Sequence, residues 1–167
     1  ASTRSSRRPS APASWAPERL PPPAAYVGGG ARDYRRHGMS LRYDTISFLS
    51  DYGHTDEFVG VVHSVIHQLC PGVRVIDISH EVAPYDVRAG GLTLARSVQY
   101  LAPGVVVAVV DPGVGSTRRP VAVEVGDGAS VLVGPDNGLL APAVAMVGGA
   151  TRAVWLNNAE HHLDAPG

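Results

Sequence analysis

A chain of 167 residues is long enough for one domain of ordinary size, and 44% hydrophobic residues with a mean hydropathy of +0.03 suit a globular core. The apolar runs stop at five or six residues, far short of the roughly 20 that span a bilayer, and the lone Cys70 excludes an internal disulfide framework or a cysteine-built zinc site. A net charge of −1 hides two unlike segments: residues 1–42 carry a balance of +6, and the remainder carries −7.

The first segment holds eight arginines against Glu18 and Asp33, together with Pro21-Pro22-Pro23 and Gly28-Gly29-Gly30, and has no apolar periodicity. Such a segment cannot bury enough surface to offset its ordering entropy, so residues 1–42 read as a disordered extension. The same composition suits a transit peptide or a nucleic-acid-binding arm. The simplest reading is an unstructured extension ahead of a natural start at Met39, with no nucleic-acid or membrane partner. The single cysteine is compatible with a reducing compartment, and a cytoplasmic location is expected; Cys70 itself reads as a small buried thiol at a helix end.

From Thr45 the pattern becomes regular. Ile46, Ser47, Phe48 and Leu49 predict a first strand, ended by the loop Ser50-Asp51-Tyr52-Gly53-His54. Phe58, Val62, Val65, Ile66 and Leu69 recur at helical spacing behind Thr55 or Asp56, which predicts a helix over 56–69, stopped by Pro71-Gly72. A second strand over 73–76 ends in Asp77, and Asp86 then caps a second helix with Val87, Leu94, Ala95, Val98 and Leu101 as its buried stripe. The β-branched run over 105–110 predicts a third strand covered on both faces. Shorter strands follow near 121–125, 131–133 and 153–156, with a turn at Gly134-Pro135-Asp136-Asn137-Gly138 and a short helix near 139–147.

Strand-helix-strand-helix-strand order argues for right-handed crossovers and an α/β fold with a mostly parallel sheet flanked by helices. Three successive strands end on an acid, Asp51, Asp77 and Asp111. In a parallel sheet those ends share one edge, where open α/β sheets bind ligands, so some of these carboxylates are expected to share a crevice.

The candidate motifs differ in weight. Gly113-Val114-Gly115 lacks the Gly-Lys-Ser/Thr of a phosphate loop, and no Gly-x-Ser-x-Gly elbow supplies a serine nucleophile. His63 and His67 stand four apart on the first helix, a spacing that can hold zinc, but no glutamate of the metalloprotease type lies between them. No metal is expected. Asp111 and Arg118 are the stronger pair: an aspartate at a strand end can orient a water or a sugar hydroxyl, while a guanidinium seven residues on can fold back across the turn to hold it. Spacing alone leaves open the alternative that Asp111 caps the turn and Arg118 pairs with it at the surface.

The segments FLSDYGHTDEFVG, VIDISHEVAPYDVRAG, VVDPGVGSTRRPVAVEV and VGPDNGLL, in that order over 45–140, resemble the S-adenosyl-L-methionine hydroxide adenosyltransferase family, relatives of the fluorinase and chlorinase enzymes. The resemblance implies an amino-terminal α/β domain, a following β-rich domain, and a homotrimer with active sites between subunits. It implies a reaction in which water or hydroxide displaces methionine from the 5′ carbon of S-adenosyl-L-methionine, giving adenosine and L-methionine without a cofactor. By the same resemblance, Asp111 and Arg118 match two members of an Asp-Arg-His catalytic set. Asp51 matches the acid on the ribose hydroxyls, Asp56 the acid near the methionine amino group, and Tyr85 the aromatic that packs against substrate; Asp136 and Asn137 match a Pro-Asp-Asn-Gly turn. A carboxylate at position 111 repels halide and favours water, which sides with the hydroxide enzymes.

The family's histidine lies in a His-Gly-Arg-Asp segment absent from these 167 residues, and His161 and His162 lack that context. Residues 43–167 are therefore expected to be the amino-terminal domain of such a hydrolase, truncated before the histidine motif. The alternative expectation is a catalytically incomplete fragment that binds nucleoside or only makes a subunit contact.

Overall fold

The structure, a computed structural model, describes residues 42–158 and 160. Residues 1–41 of the extension expected over 1–42, Met39 included, and His161 and His162 lie outside the described residues. Arg42, at the edge of that extension, bonds to the Gly128 carbonyl at 3.2 Å and pairs with Glu124 at 3.4 Å.

Six strands and three helices follow in chain order: β1 (Thr45–Ser50), α1 (Phe58–Leu69), β2 (Arg74–Ser79), α2 (Val87–Val98), β3 (Val105–Val109), β4 (Pro120–Val125), β5 (Ser130–Pro135), α3 (Ala141–Met146) and β6 (Ala150–Trp155). They form one sheet in the order β2-β1-β3-β5-β4-β6. β2, β1, β3 and β5 run parallel, whereas β4 pairs antiparallel with both β5 and β6. The expected α/β fold with a mostly parallel sheet is thus present, its last two strands making it mixed. The reversal is made between β4 and β5, where Gly126, Asp127 and Gly128 all take positive φ in a tight turn. Only glycine and short polar residues enter that region readily.

The core lies over the middle of the sheet, where Leu49, Val106, Ala108, Val110 and Leu132 meet Leu94, Val98 and Leu139. Each fully buried Leu or Val of this set contributes roughly 1.5–3 kcal/mol relative to an exposed one. α2 packs against α3 and β1. Gly90 brings α2 close to β3, since a Cβ there would stand 2.9 Å from Val110 Cγ2 and 3.0 Å from Leu139 Cδ1.

The far edge is thinner. α1 fully buries only Val59, and most of β2 is exposed or half-exposed. α1 begins at Phe58 rather than at 56 because the Asp56 carboxylate accepts from the Phe58 N–H at 3.0 Å, an Asx-type turn ahead of the helix. Cys70 caps the end of α1, where it is half-buried rather than buried. β2 also continues past its expected end, through Asp77 to Ser79, with an irregularity in its pairing opposite Phe48 and Leu49. Among the described residues, no helix is long and apolar enough to cross a membrane.

Candidate active site

The strand order β2-β1-β3 means that the connection after β1 goes to one side and the connection after β2 crosses to the other. Open α/β sheets bind ligands at such a switch point, outside the carboxyl ends of the strands. Asp51 follows β1 and Asp111 follows β3, so the topology sets two carboxylates at that place. A cavity of about 270 Å³ opens there, lined by Asp51, Tyr52, Pro84, Tyr85, Val109, Asp111 and Val114.

Asp111 is the buried acid of the cavity, its side chain 3% exposed. Its Oδ1 accepts from the Gly113 N–H at 3.1 Å, and its Oδ2 accepts from Arg118 Nη2 in a charge-assisted bond. Ser116 holds the loop that brings Arg118 back: its hydroxyl donates to the Gly113 carbonyl at 2.6 Å and accepts from the Arg118 N–H at 3.2 Å. Asp111 therefore caps its turn and faces the cavity at once, so the two readings of this pair are compatible. Arg118 Nε is buried without a hydrogen-bond partner, which leaves a donor of the same guanidinium unspent.

Asp51 and Tyr85 are joined directly. The Tyr85 N–H donates to Asp51 Oδ2 at 2.8 Å, and Tyr85 sits at φ +65° while remaining 71% exposed. A bulky residue in the left-handed region is strained and needs its surroundings to hold it there; the Asp51 carboxylate is one such restraint.

Asp56, Asp136 and Asn137 do not line this cavity. Asp56 is exposed at the start of α1, and the Asp136 N–H donates to the Arg119 carbonyl at 2.8 Å. Asn137 clasps the turn after β5 to the end of β3: its amide donates to the Val110 carbonyl at 2.9 Å and accepts from the Leu139 N–H at 3.1 Å. Asp77, the third strand-end acid, lies away from the cavity because β2 carries it within the strand, where it meets His63 and His80. Burial pushes its carboxyl up, but the close approach of the His80 and His63 imidazoles, and their charge, outweigh that and hold it below the usual carboxylate range.

Tyr52 is a lining residue that the motif reading passed over. Its ring packs edge-on against Phe58 at 4.7 Å and Phe48 at 6.1 Å. Burial, reinforced by the negative charges of Asp51 and Asp111, raises its phenol above the ordinary value. Its position directly after Asp51 in a strand-end loop was the available signal.

Two carboxylates, one of them paired with a guanidinium, thus meet at the switch point of an α/β sheet, the place where such sheets bind ligands. Residues 46–166 match the family described as SAM hydroxide adenosyltransferase N-terminal domain, and the chain belongs to that family. The protein named (R)-S-adenosyl-L-methionine hydrolase from Salinispora tropica is 54% identical over 113 residues, covering 68% of this chain and 42% of that protein. The protein of the same name from Salinispora arenicola is 53% identical over 113 residues, with the same coverage of 68% and 42%. A crystal structure described as a conserved hypothetical protein from Thermus thermophilus superposes with a TM-score of 0.61 at 40% identity, covering 68% of this chain and 47% of that one. The chain spans less than half the length of these relatives.

Proposed function

We propose that this domain supplies the water-orienting part of an S-adenosyl-L-methionine hydrolase. The observation that carries the reading is the buried Asp111, paired with the half-buried Arg118 and set at the β1–β3 switch point in one cavity with Asp51 and Tyr85. In this reading Asp51 accepts hydrogen bonds from the ribose hydroxyls with the oxygen that Tyr85 N–H leaves free. The Tyr85 ring faces the sulfonium, whose charge its quadrupole attracts. Asp111, held in place by the Arg118 guanidinium, accepts a hydrogen bond from water and aims the oxygen at the 5′ carbon; Asp56 faces the methionine amino group. The C–O bond forms as the C–S bond breaks, methionine leaves with the electron pair of that bond, and the proton of the water passes by way of the Asp111 carboxylate to solvent. The sulfonium is already an activated leaving group, so the reading needs no cofactor. Asp136 and Asn137 serve through the turn that fixes the end of β3.

The cavity is smaller than the ~300–1,000 Å³ usual for small-molecule sites, and no histidine lines it among the described residues. We assign the remaining wall and the third catalytic member to parts of a longer protein or to another subunit of a homotrimer, acting in the cytoplasm. Incubation of the protein with S-adenosyl-L-methionine, read by chromatography of adenosine and methionine, tests the reading. Release of both products, lost in Asp111→Ala, supports it; a version extended to the length of the relatives that yields no adenosine refutes it.

The absence of a histidine from the cavity lining among the described residues carries a second reading, a domain that binds nucleoside without turning it over. Calorimetry separates the two: adenosine binding without product formation selects the second, and binding of neither adenosine nor substrate removes both.

A further inference from the structure

His63 on α1, Asp77 on β2 and His80 in the loop leaving β2 bring one ligand atom each to a single spot, all within 4.8 Å of one another. His63 Nε2 lies 2.9 Å and His80 Nε2 3.1 Å from the same Asp77 Oδ1. None of the three lines the cavity that holds Asp111. We propose that they bind a divalent transition-metal ion of the zinc class, which pins α1 to the edge strand β2.

The donor set and its spacing fit such an ion. Two imidazoles and a carboxylate are borderline ligands suited to zinc and its neighbours. Metal–ligand bonds of roughly 2.0–2.2 Å in a tetrahedral site put donor atoms about 3.3–3.5 Å apart, so the cluster needs shifts of an ångström or so. His63 and Asp77 side chains are 35% and 36% exposed, which gives an ion a way in and leaves its fourth position to water.

His80 supplies a second, independent observation. It is fully buried, and its Nε2 has no hydrogen-bond partner, because Asp77 Oδ1, although 3.1 Å away, lies outside hydrogen-bonding geometry. The other ring nitrogen, Nδ1, meets Ser50 Oγ at 2.7 Å. If Nδ1 carries the proton and donates to Ser50, Nε2 faces a carboxylate oxygen with a lone pair that either a second proton or a metal ion must occupy. An outer hydrogen bond of this kind is how metal-ligating histidines are held in tautomer and orientation.

The consequence is structural. α1 fully buries only Val59, so its hold on the sheet is slight, and a bond from His63 through the ion to β2 adds what packing does not. The pairing of His63 with His67 that helical spacing first offers is not the site: His67 stands outside the cluster.

The test is a titration of the metal-stripped full chain with Co²⁺, followed by its visible absorption, then displacement by Zn²⁺, with thermal unfolding measured at each stage. The wild type is expected to take up one equivalent at this site and to unfold at higher temperature with Zn²⁺. His63→Ala, at a half-exposed helix position, and Asp77→Asn are expected to weaken binding at least 10-fold and to abolish the thermal shift, with unchanged far-ultraviolet circular dichroism. His67→Ala is expected to bind as the wild type does. Absence of Co²⁺ uptake by the wild type, unchanged affinity in His63→Ala, or equal loss in His67→Ala overturns the proposal and leaves a His-Asp-His ion-pair cluster.

Discussion

Tyr85 holds a left-handed backbone that its side chain disfavours, and its N–H is fastened to the Asp51 carboxylate. Strain of this kind costs roughly 1–3 kcal/mol and clusters at functional sites. Tyr85→Gly is therefore expected to leave thermal stability unchanged or raise it by about 1 kcal/mol, while substrate binding measured by calorimetry falls. Asp111→Asn tests the charge at the base of the cavity. It keeps the shape but removes the negative partner of Arg118, and turnover by the extended enzyme is expected to drop roughly 10²–10⁴-fold, with a smaller effect on substrate affinity. Tyr52 gives a pH dependence. Burial raises its phenol, so the folded state prefers the neutral ring, and the associated stability is complete below about pH 10 and lost as pH climbs through the folded value. Tyr52→Phe is expected to flatten that alkaline decline in denaturation experiments. Asp51, Asp111 and Arg118 were legible in the sequence because each sits next to a strand-end signal or within a glycine turn. Tyr52 offered only its place directly after Asp51 in the strand-end loop, since aromatic packing around a cavity leaves no periodic mark.

α2 shows how local sequence can dictate an element. Asp86 Oδ1 accepts from the Ala89 N–H at 2.8 Å, the capping bond anticipated from its place ahead of the apolar stripe. Asp86→Ala is expected to cost about 1 kcal/mol in chemical denaturation. Gly90 is the complementary case: its importance lies in a contact with β3 that no helical periodicity reveals. Gly90→Val is expected to destabilise by about 1–3 kcal/mol, because Val110 and Leu139 are fully buried and have little room to move. The ends of α1 and β2 were misjudged for related reasons. Asp56 spends its carboxylate on a turn rather than on a first helical residue, and β2 runs on through Asp77 because its partner β1 continues to Ser50. That extra length carries Asp77 away from Asp51 and Asp111 and toward the two histidines.

Across the molecule, the alternation of strands and helices was sufficient to foresee the parallel half of the sheet. The reversed direction of β4 was not foreseeable, since no α-helix separates it from β3 or from β5 to force a crossover, and α3, between β5 and β6, is only six residues long. The functional edge follows from the topology: only β1 and β3, on either side of the switch point, deliver their acids to one cavity. β6 lies at the opposite edge with every residue exposed, and Trp155 there stacks against the Arg119 guanidinium at 5.2 Å.

The tight turn at Gly126–Gly128 has a kinetic consequence. It joins β4 and β5 with few intervening residues, whereas the β1–β3 ladder pairs Ile46 with Val105, across two helices and a strand. Short-range pairings close faster than long-range ones, because less loop entropy is lost before contacts form. The hairpin is therefore expected to assemble first and the ladder bearing Asp51 and Asp111 last. Pulsed hydrogen exchange during refolding checks this: amides of β4 and β5 should be protected before those of β1. Protection of β1 ahead of the hairpin would reverse the order. On this route Asp51 and Asp111 reach their shared cavity only in the closing step, so the space at the ends of β1 and β3 forms after the hairpin is already in place.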